Sequence, residues 1–282
     1  MKGQEGGALP NVPCVKFPRS LKLCTTGRGL RSEGEEILFE SAFNLKMKSV
    51  ARKVLPAPVR RVLTAPSRCL DTWAVRRVRK AIWDKTQDAL TVKWLSRQVR
   101  QFPIEAWIIQ EVVAKTRPDV IIETGTFTGG SAYFMACLCD LLKQGEVISI
   151  DIGARETIPH PRITYLEGSS IDPAIVDSVK QRVRQTGGKT FVMLDSNHRA
   201  PHVRQELEAY APLVPIGCYI HVQDGALDEF RMFRNMQPGP MVAAKSFLKD
   251  HPQFVRDLDM ELRYVISEHP YGWLKRIGED TA

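Results

Sequence analysis

No stretch of this chain approaches the ~20 consecutive apolar residues that a bilayer-spanning helix needs. Met1 to Thr26 also lacks the apolar core of a secretory signal, mixing Gly, Pro, Lys and Arg instead. The expected address is the cytoplasm. Paired Cys-x-x-Cys spacing is missing too: the six cysteines, at 14, 24, 69, 137, 139 and 218, are scattered, so neither a zinc knuckle nor a disulfide framework is indicated. Cys137 and Cys139 fall on an expected helix, where buried, inert thiols are the default.

What the chain has is apolar material for a core and an uneven charge. Its 282 residues are 43% hydrophobic and 26% charged, enough for one well-cored domain with an appendage. The net charge of +8 would suit a nucleic-acid binder if it were spread over the fold. Residues 1–90, however, hold 18 Lys/Arg against 8 Asp/Glu, whereas residues 91–282 hold 22 against 24. The basic character therefore belongs to an N-terminal extension, and with no recognised motif beside it nucleic acid is not the expected partner.

Three regions follow. Residues 1–44 are rich in Gly, Pro, Lys and Arg at first, then in Glu, and are expected to be disordered or loosely ordered. Residues 45–100 read as a basic helical extension, with apolar positions at Leu70, Trp73, Ala74, Val78 and Ile82 at helical spacing. Residues 101–282 alternate short β-branched runs with longer segments, the pattern of a Rossmann-like α/β fold. Seven strands are predicted: Val120–Glu123, Val147–Asp151, Ile163–Glu167, Phe191–Asp195, Tyr219–Gln223, Leu262–Ser267 and Trp273–Ile277. Helix-length segments follow the first five. The short link between the last two predicts a hairpin and hence one antiparallel edge strand in a mostly parallel sheet. Ile104–Lys115 reads as an amphipathic helix leading into the first strand.

The strongest chemical signal is Val120 to Ser131, a buried strand running into a glycine-rich turn and then a helix. In open α/β sheets ligands bind at the carboxyl ends of strands. Gly125 and Gly130 have the separation of a phosphate-binding loop, but Ser131 stands where that loop needs lysine, which argues against a polyphosphate. Glu123 repels phosphate and suits the cationic end of an amino-acid-like cofactor. Asp151, 28 residues on, can take the two hydroxyls of a ribose, and Gly168-Ser169-Ser170 offers a polar turn for an adenine edge. Acid, glycine turn with Thr126, ribose acid and polar turn together describe S-adenosylmethionine.

The second constellation is Leu194-Asp195-Ser196-Asn197-His198 with Val222-Gln223-Asp224-Gly225. Consecutive parallel strands end on one side of a sheet, so Asp195 and Asp224 can converge. With the Gln223 amide oxygen they suit a hard cation such as Mg²⁺. His198 lies in the same loop as Asp195, where a general base is useful. A zinc pair of His198 and His202 is disfavoured by Arg199 and Pro201. His221, inside a strand, is expected to pack or to support other groups, and His160, His251 and His269 lie in loops without a readable signal.

The Glu-Thr-Gly-Thr-x-x-Gly-Gly-Ser run (123–131), Leu-Asp-Ser-Asn-His (194–198) with the segment Glu206 to Val214, and Gly217-x-Tyr-Ile-x-Val-Gln-Asp (217–224) resemble the cephalosporin hydroxylase family. That family includes the rhamnosyl and other natural-product sugar O-methyltransferases. The resemblance covers roughly residues 90–278. It implies a class I methyltransferase fold, S-adenosylmethionine and a divalent metal. By the same resemblance Asp195 and Asp224 match metal ligands, His198 matches the base, and Glu123, Gly125, Ser131 and Asp151 match the cofactor site. Where the family has Glu-Asp, this chain has Gln223-Asp224, a site with one negative charge fewer.

The expected reaction is methyl transfer to a hydroxyl of a sugar, glycolipid or related natural product. The alternatives are an oxygenation role, for which the sequence shows no two-His, one-carboxylate iron triad, and a non-catalytic cofactor-binding module with a weakened metal site. The resemblance also implies a homo-oligomer, with the basic extension as a packing arm. Peripheral contact of that arm with an anionic membrane surface is the second expectation, from Trp73 and Trp83 among Arg and Lys.

Overall fold

The computed structural model describes residues 74–81, 92–153 and 157–279, all within the unit Ser67–Ala282. The expectations for residues 1–44, and most of those for 45–100, lie outside the described residues. Within the extension, residues 74–81 are helical as the spacing predicts. Residues expected to continue that helical text instead form a hairpin of β1 (Lys93–Trp94) and β2 (Arg97–Gln98). Both turn residues, Leu95 and Ser96, have positive φ, as a two-residue hairpin turn demands. Neither residue type announces that conformation in sequence.

The domain then runs α1 (Pro103–Thr116), β3 (Val120–Thr124), α2 (Gly130–Leu142), β4 (Glu146–Asp151), β5 (Ile163–Glu167), α3 (Pro173–Thr186) and β6 (Thr190–Leu194). It continues with α4 (Ala200–Tyr210), β7 (Tyr219–Val222), α5 (Pro240–Asp250), β8 (Phe254–Arg256), α6 (Leu258–Glu261) and β9 (Trp273–Arg276). The seven-stranded sheet has the order β5-β4-β3-β6-β7-β9-β8. All pairs from β5 to β7 are parallel, and β9 runs against both β7 and β8.

Alternation along the strands builds two cores. Val120 and Ile122 of β3, with Ile148, Val192 and Ile220, face α3, α4 and α5. Ile121, Val147, Phe191 and Tyr219 face the other way, onto α1 and α2. The sheet is therefore covered on both faces, which is why its central strands are almost wholly apolar. Chain order reverses beside β3, with β4 on one side and β6 on the other. A crevice at the carboxyl ends of these strands is the natural ligand site.

Two expectations need correction. Residues 262–267 form no strand: Val265 has φ 73, a conformation that β-branched residues avoid, and the partner of β9 is β8. The expected closing hairpin is replaced by a connection through α6 and a loop. The β4–β5 link has no helix among its described residues, which include Pro159 and Pro161.

Candidate active site

A cavity of about 600 Å³ opens where β3, β4, β6 and β7 end. Its first wall is the β3–α2 turn. Gly125 has φ +93, and a Cβ there would lie 2.0 Å from the carbonyl oxygen of Asp195, so only glycine lets this turn pass against the β6 loop. Gly130 is equally tight, since its Cβ would meet the Gln98 carbonyl at 1.8 Å. Asp151 closes β4. Its carboxylate accepts the Phe127 N–H at 2.9 Å and the Gly153 N–H at 3.1 Å, which fixes its direction toward the turn.

Glu123 takes a different place from the one its sequence position suggests. It alternates onto the α2 face of β3, is wholly buried and does not line the cavity. Its Oε2 accepts from Ser149 at 2.5 Å, Ser149 meets the Thr126 hydroxyl at 2.6 Å, and Ser131 also hydrogen-bonds to Glu123. Glu123 is therefore a brace beneath the β3–α2 turn. Burial pushes its pKa up to about 7, against the lowering by the two serines.

At the far end of the cavity, the Ser169-Ser170 turn after β5 meets α4. Glu206, fully buried, accepts from Ser170 at 2.6 Å and Ser196 at 2.7 Å, and the Tyr210 hydroxyl donates to the Ser170 carbonyl. The polar turn read from sequence is thus locked to the β6 loop by a carboxylate that sequence reasoning did not single out. A Glu on an amphipathic helix gives no local sign of such a partner.

The third wall brings Asp195, His198 and Asp224 together. Nε2 of His198 lies 3.4 Å from Asp195 and 3.0 Å from Asp224. Ligand atoms of the three residues all lie within 4.8 Å of one another. Burial lowers the His198 pKa, but the two carboxylates outweigh it and raise the value to about 11. Burial likewise raises that of Asp224, and the hydrogen bond and charge of His198 overcome it, so the carboxyl is held below its ordinary value. For Asp195 burial wins and the direction is upward.

Gln223 lines the cavity but points toward α1, because it shares a face of β7 with Tyr219 and His221. Its amide is clasped to Gln101 in a reciprocal pair of 2.9 and 3.2 Å. Gln101, Arg100, Glu268 and His269 also line the cavity. His269 had no readable signal in sequence, yet its Nδ1 accepts the Asp224 backbone N–H at 2.7 Å. His202 lies beside Ser170 and Ser196 at 3.1 and 3.3 Å and does not join His198 in a metal pair among the described residues.

The chain is similar to proteins of a known family. The rhamnosyl O-methyltransferase of Mycobacterium tuberculosis (strain ATCC 25618 / H37Rv) is 29% identical over 178 residues, covering 61% of this chain and 73% of that protein. The rhamnosyl O-methyltransferase of Mycobacterium leprae (strain TN) is 28% identical over 191 residues, covering 66% and 83%. Among solved structures, CmcI with Mg and SAM shares the fold at a TM-score of 0.51 and 18% identity, over 66% of this chain and 77% of that one. Residues 87–277 match the family model described as Rhamnosyl O-methyltransferase/CmcI, so the chain belongs to the rhamnosyl O-methyltransferase/CmcI family.

Proposed function

We propose that this O-methyltransferase carries the methyl group of S-adenosylmethionine to a hydroxyl of a sugar-type acceptor. The observation that carries this reading is the convergence of Asp195, His198 and Asp224 on the cavity that the β3–α2 turn and Asp151 also line. Relatives named rhamnosyl O-methyltransferase support the sugar hydroxyl.

The donor set fits a hard cation: two carboxylates converge within reach of one another, and Mg and SAM are bound together in the CmcI structure. Asp195 and Asp224 would hold Mg²⁺; the Gln223 amide oxygen, expected from sequence to join them, is instead taken by Gln101 at 2.9 Å. When bound, the metal supplies positive charge that makes an acceptor hydroxyl more acidic, and the sulfonium of S-adenosylmethionine supplies an activated methyl group.

The protein's own residues do the rest. Asp151, oriented by two backbone N–H groups, takes the ribose hydroxyls. Gly125, Thr126 and Ser131 form the wall of the methionine end, and Ser169 borders the adenine end. His198 Nε2 would receive the acceptor's proton; that role requires the neutral ring, which a cation held by Asp195 and Asp224 would favour by offsetting the two carboxylates that otherwise raise the His198 pKa. Holding the acceptor in line with the methyl group accounts for much of the rate enhancement, up to about 7–11 kcal/mol of barrier in favourable systems.

Asp195→Ala and His198→Ala are each expected to lower turnover by a factor of about 10² to 10⁴. Binding of S-adenosylmethionine should change by less than about threefold, since neither residue belongs to the ribose or adenine end. Transfer of labelled methyl to glycosylated acceptors, beside calorimetry with the cofactor, measures both. Undiminished transfer in either variant would refute the assignment.

A further inference from the structure

Behind the wall that carries Asp224, three buried side chains from separate elements aim polar atoms at one point. Glu105 comes from the first turn of α1, His221 from β7 and His269 from the loop before β9. Glu105 and His221 are wholly buried and His269 is 2% exposed. Ligand atoms of the three lie within 4.8 Å of one another. Glu105 Oε2 and both Nε2 atoms have no hydrogen-bond partner among the described residues. With one ligand atom of each side chain within 4.8 Å of the other two, a single small molecule can reach all three at about 2.8 Å, hydrogen-bond length.

The residue set is that of a two-His, one-carboxylate metal site, but the hydrogen bonds decide otherwise. The Asp224 N–H donates to His269 Nδ1 at 2.7 Å, so that nitrogen holds the lone pair and the neutral ring keeps its hydrogen on Nε2. An N–H does not ligate a metal. His221 is the reverse case. Its Nδ1 donates to the Gly272 carbonyl at 3.4 Å, and its ring stacks on Trp273 at 3.9 Å, leaving the lone pair on Nε2. One donor thus faces two acceptors, since Glu105 Oε2 accepts as well. Its other oxygen is already engaged, taking the Glu268 N–H at 3.2 Å.

A water molecule is the complement of this set, accepting once and donating twice. We propose that Glu105, His221 and His269 bind one internal water, which fixes the His269 tautomer and makes His269 a positioning residue for Asp224. Asp224 stands at φ 57, in the left-handed region that aspartate enters more readily than most residues but that still gains from a hold on its backbone. The bond to His269 is that hold. Its lone pair faces Asp224 only while Nε2 carries the hydrogen, and the water gives that hydrogen an acceptor.

The water bridge stands independently of the proposed reaction; only the positioning role rests on Asp224 acting as a metal ligand. The full, unaltered chain tests the bridge by atomic-resolution crystallography, elemental metal analysis and ¹⁵N spectra of the imidazole rings. The expected result is one solvent peak about 2.8 Å from all three atoms, the Nε2–H tautomer at His269, and no stoichiometric transition metal. A metal at about 2.1 Å from these atoms, a dry site, or hydrogen on Nδ1 of His269 would overturn the proposal. None of these readouts involves turnover, so an inactive chain would leave them intact.

The positioning role is read from Mg²⁺ affinity by calorimetry with S-adenosylmethionine present. His269→Asn keeps an acceptor near the Asp224 N–H and should bind Mg²⁺ more tightly than His269→Leu, whose affinity should fall about tenfold or more. Equal affinities in the two variants would reject it.

Discussion

Glu123 gives the protein a pH signature of its own. Its folded pKa of about 7 stands above the ordinary 4.5 because burial disfavours the charged form. The folded state therefore binds more protons than the unfolded state between those values. Stability from this group is full below about pH 4.5 and falls as pH rises through 7. Glu123→Gln should remove that slope, gaining at most about 3 kcal/mol relative to the wild type at pH 8 and little at pH 4.5. Urea unfolding at both pH values measures it, and a gain independent of pH would contradict the cause given. Gln223 offers a second residue-level test. Gln223→Glu removes the amide N–H that holds Gln101, frees a carboxylate at the cavity wall and should tighten Mg²⁺ binding by about tenfold. Positions written in local order, such as Asp151 at the end of its strand or Asp195 and His198 in one loop, were legible from sequence, and all three line the cavity. His269 was not, because its value lies in a bond to Asp224, 45 residues away.

At the scale of elements, the strands buried on both faces were the easiest to read. The expected Ile163–Glu167 matches β5, and the β3 and β4 expectations differ from the structure by one residue at one end. Leu262–Ser267 misled because β-branched content favours a strand without being sufficient for one. Phe254–Arg256 escaped notice because three residues after Pro252 carry no period. The junction of β3 and β6 is the element contact on which the site depends most. Gly125→Ala would drive a methyl group into the Asp195 carbonyl and force a residue with φ +93 to carry a side chain. The expected loss is about 3 kcal/mol or more, with S-adenosylmethionine binding lost as well. Thermal unfolding and calorimetry check both, and a variant of wild-type stability would show that the turn can move away from β6.

Across the whole molecule, charge and chemistry separate. Residues 91–282 carry 22 Lys/Arg against 24 Asp/Glu, so the site sits in a domain close to neutral, and the excess of positive charge lies before it. Removing residues 1–66 should therefore leave S-adenosylmethionine affinity within about threefold. If the basic extension is a packing arm, light scattering will report a smaller assembly for the shortened chain. Sedimentation with anionic vesicles separates the membrane reading, since only that reading requires the full chain to pellet and a chain lacking residues 1–90, and with them Trp73 and Trp83, to stay in solution. The reversed strand β9 has one more consequence, which concerns the order of synthesis. Among the described residues β8 pairs with β9 alone, and β9 inserts between β7 and β8. A chain leaving the ribosome carries the glycine turn early and β8 without a partner. Only when Trp273–Arg276 emerges can β8 join the sheet and the loop bearing His269 be held against Asp224. A nascent chain thus carries the glycine turn without a finished wall around Asp224, and the last strand is the keystone that completes it.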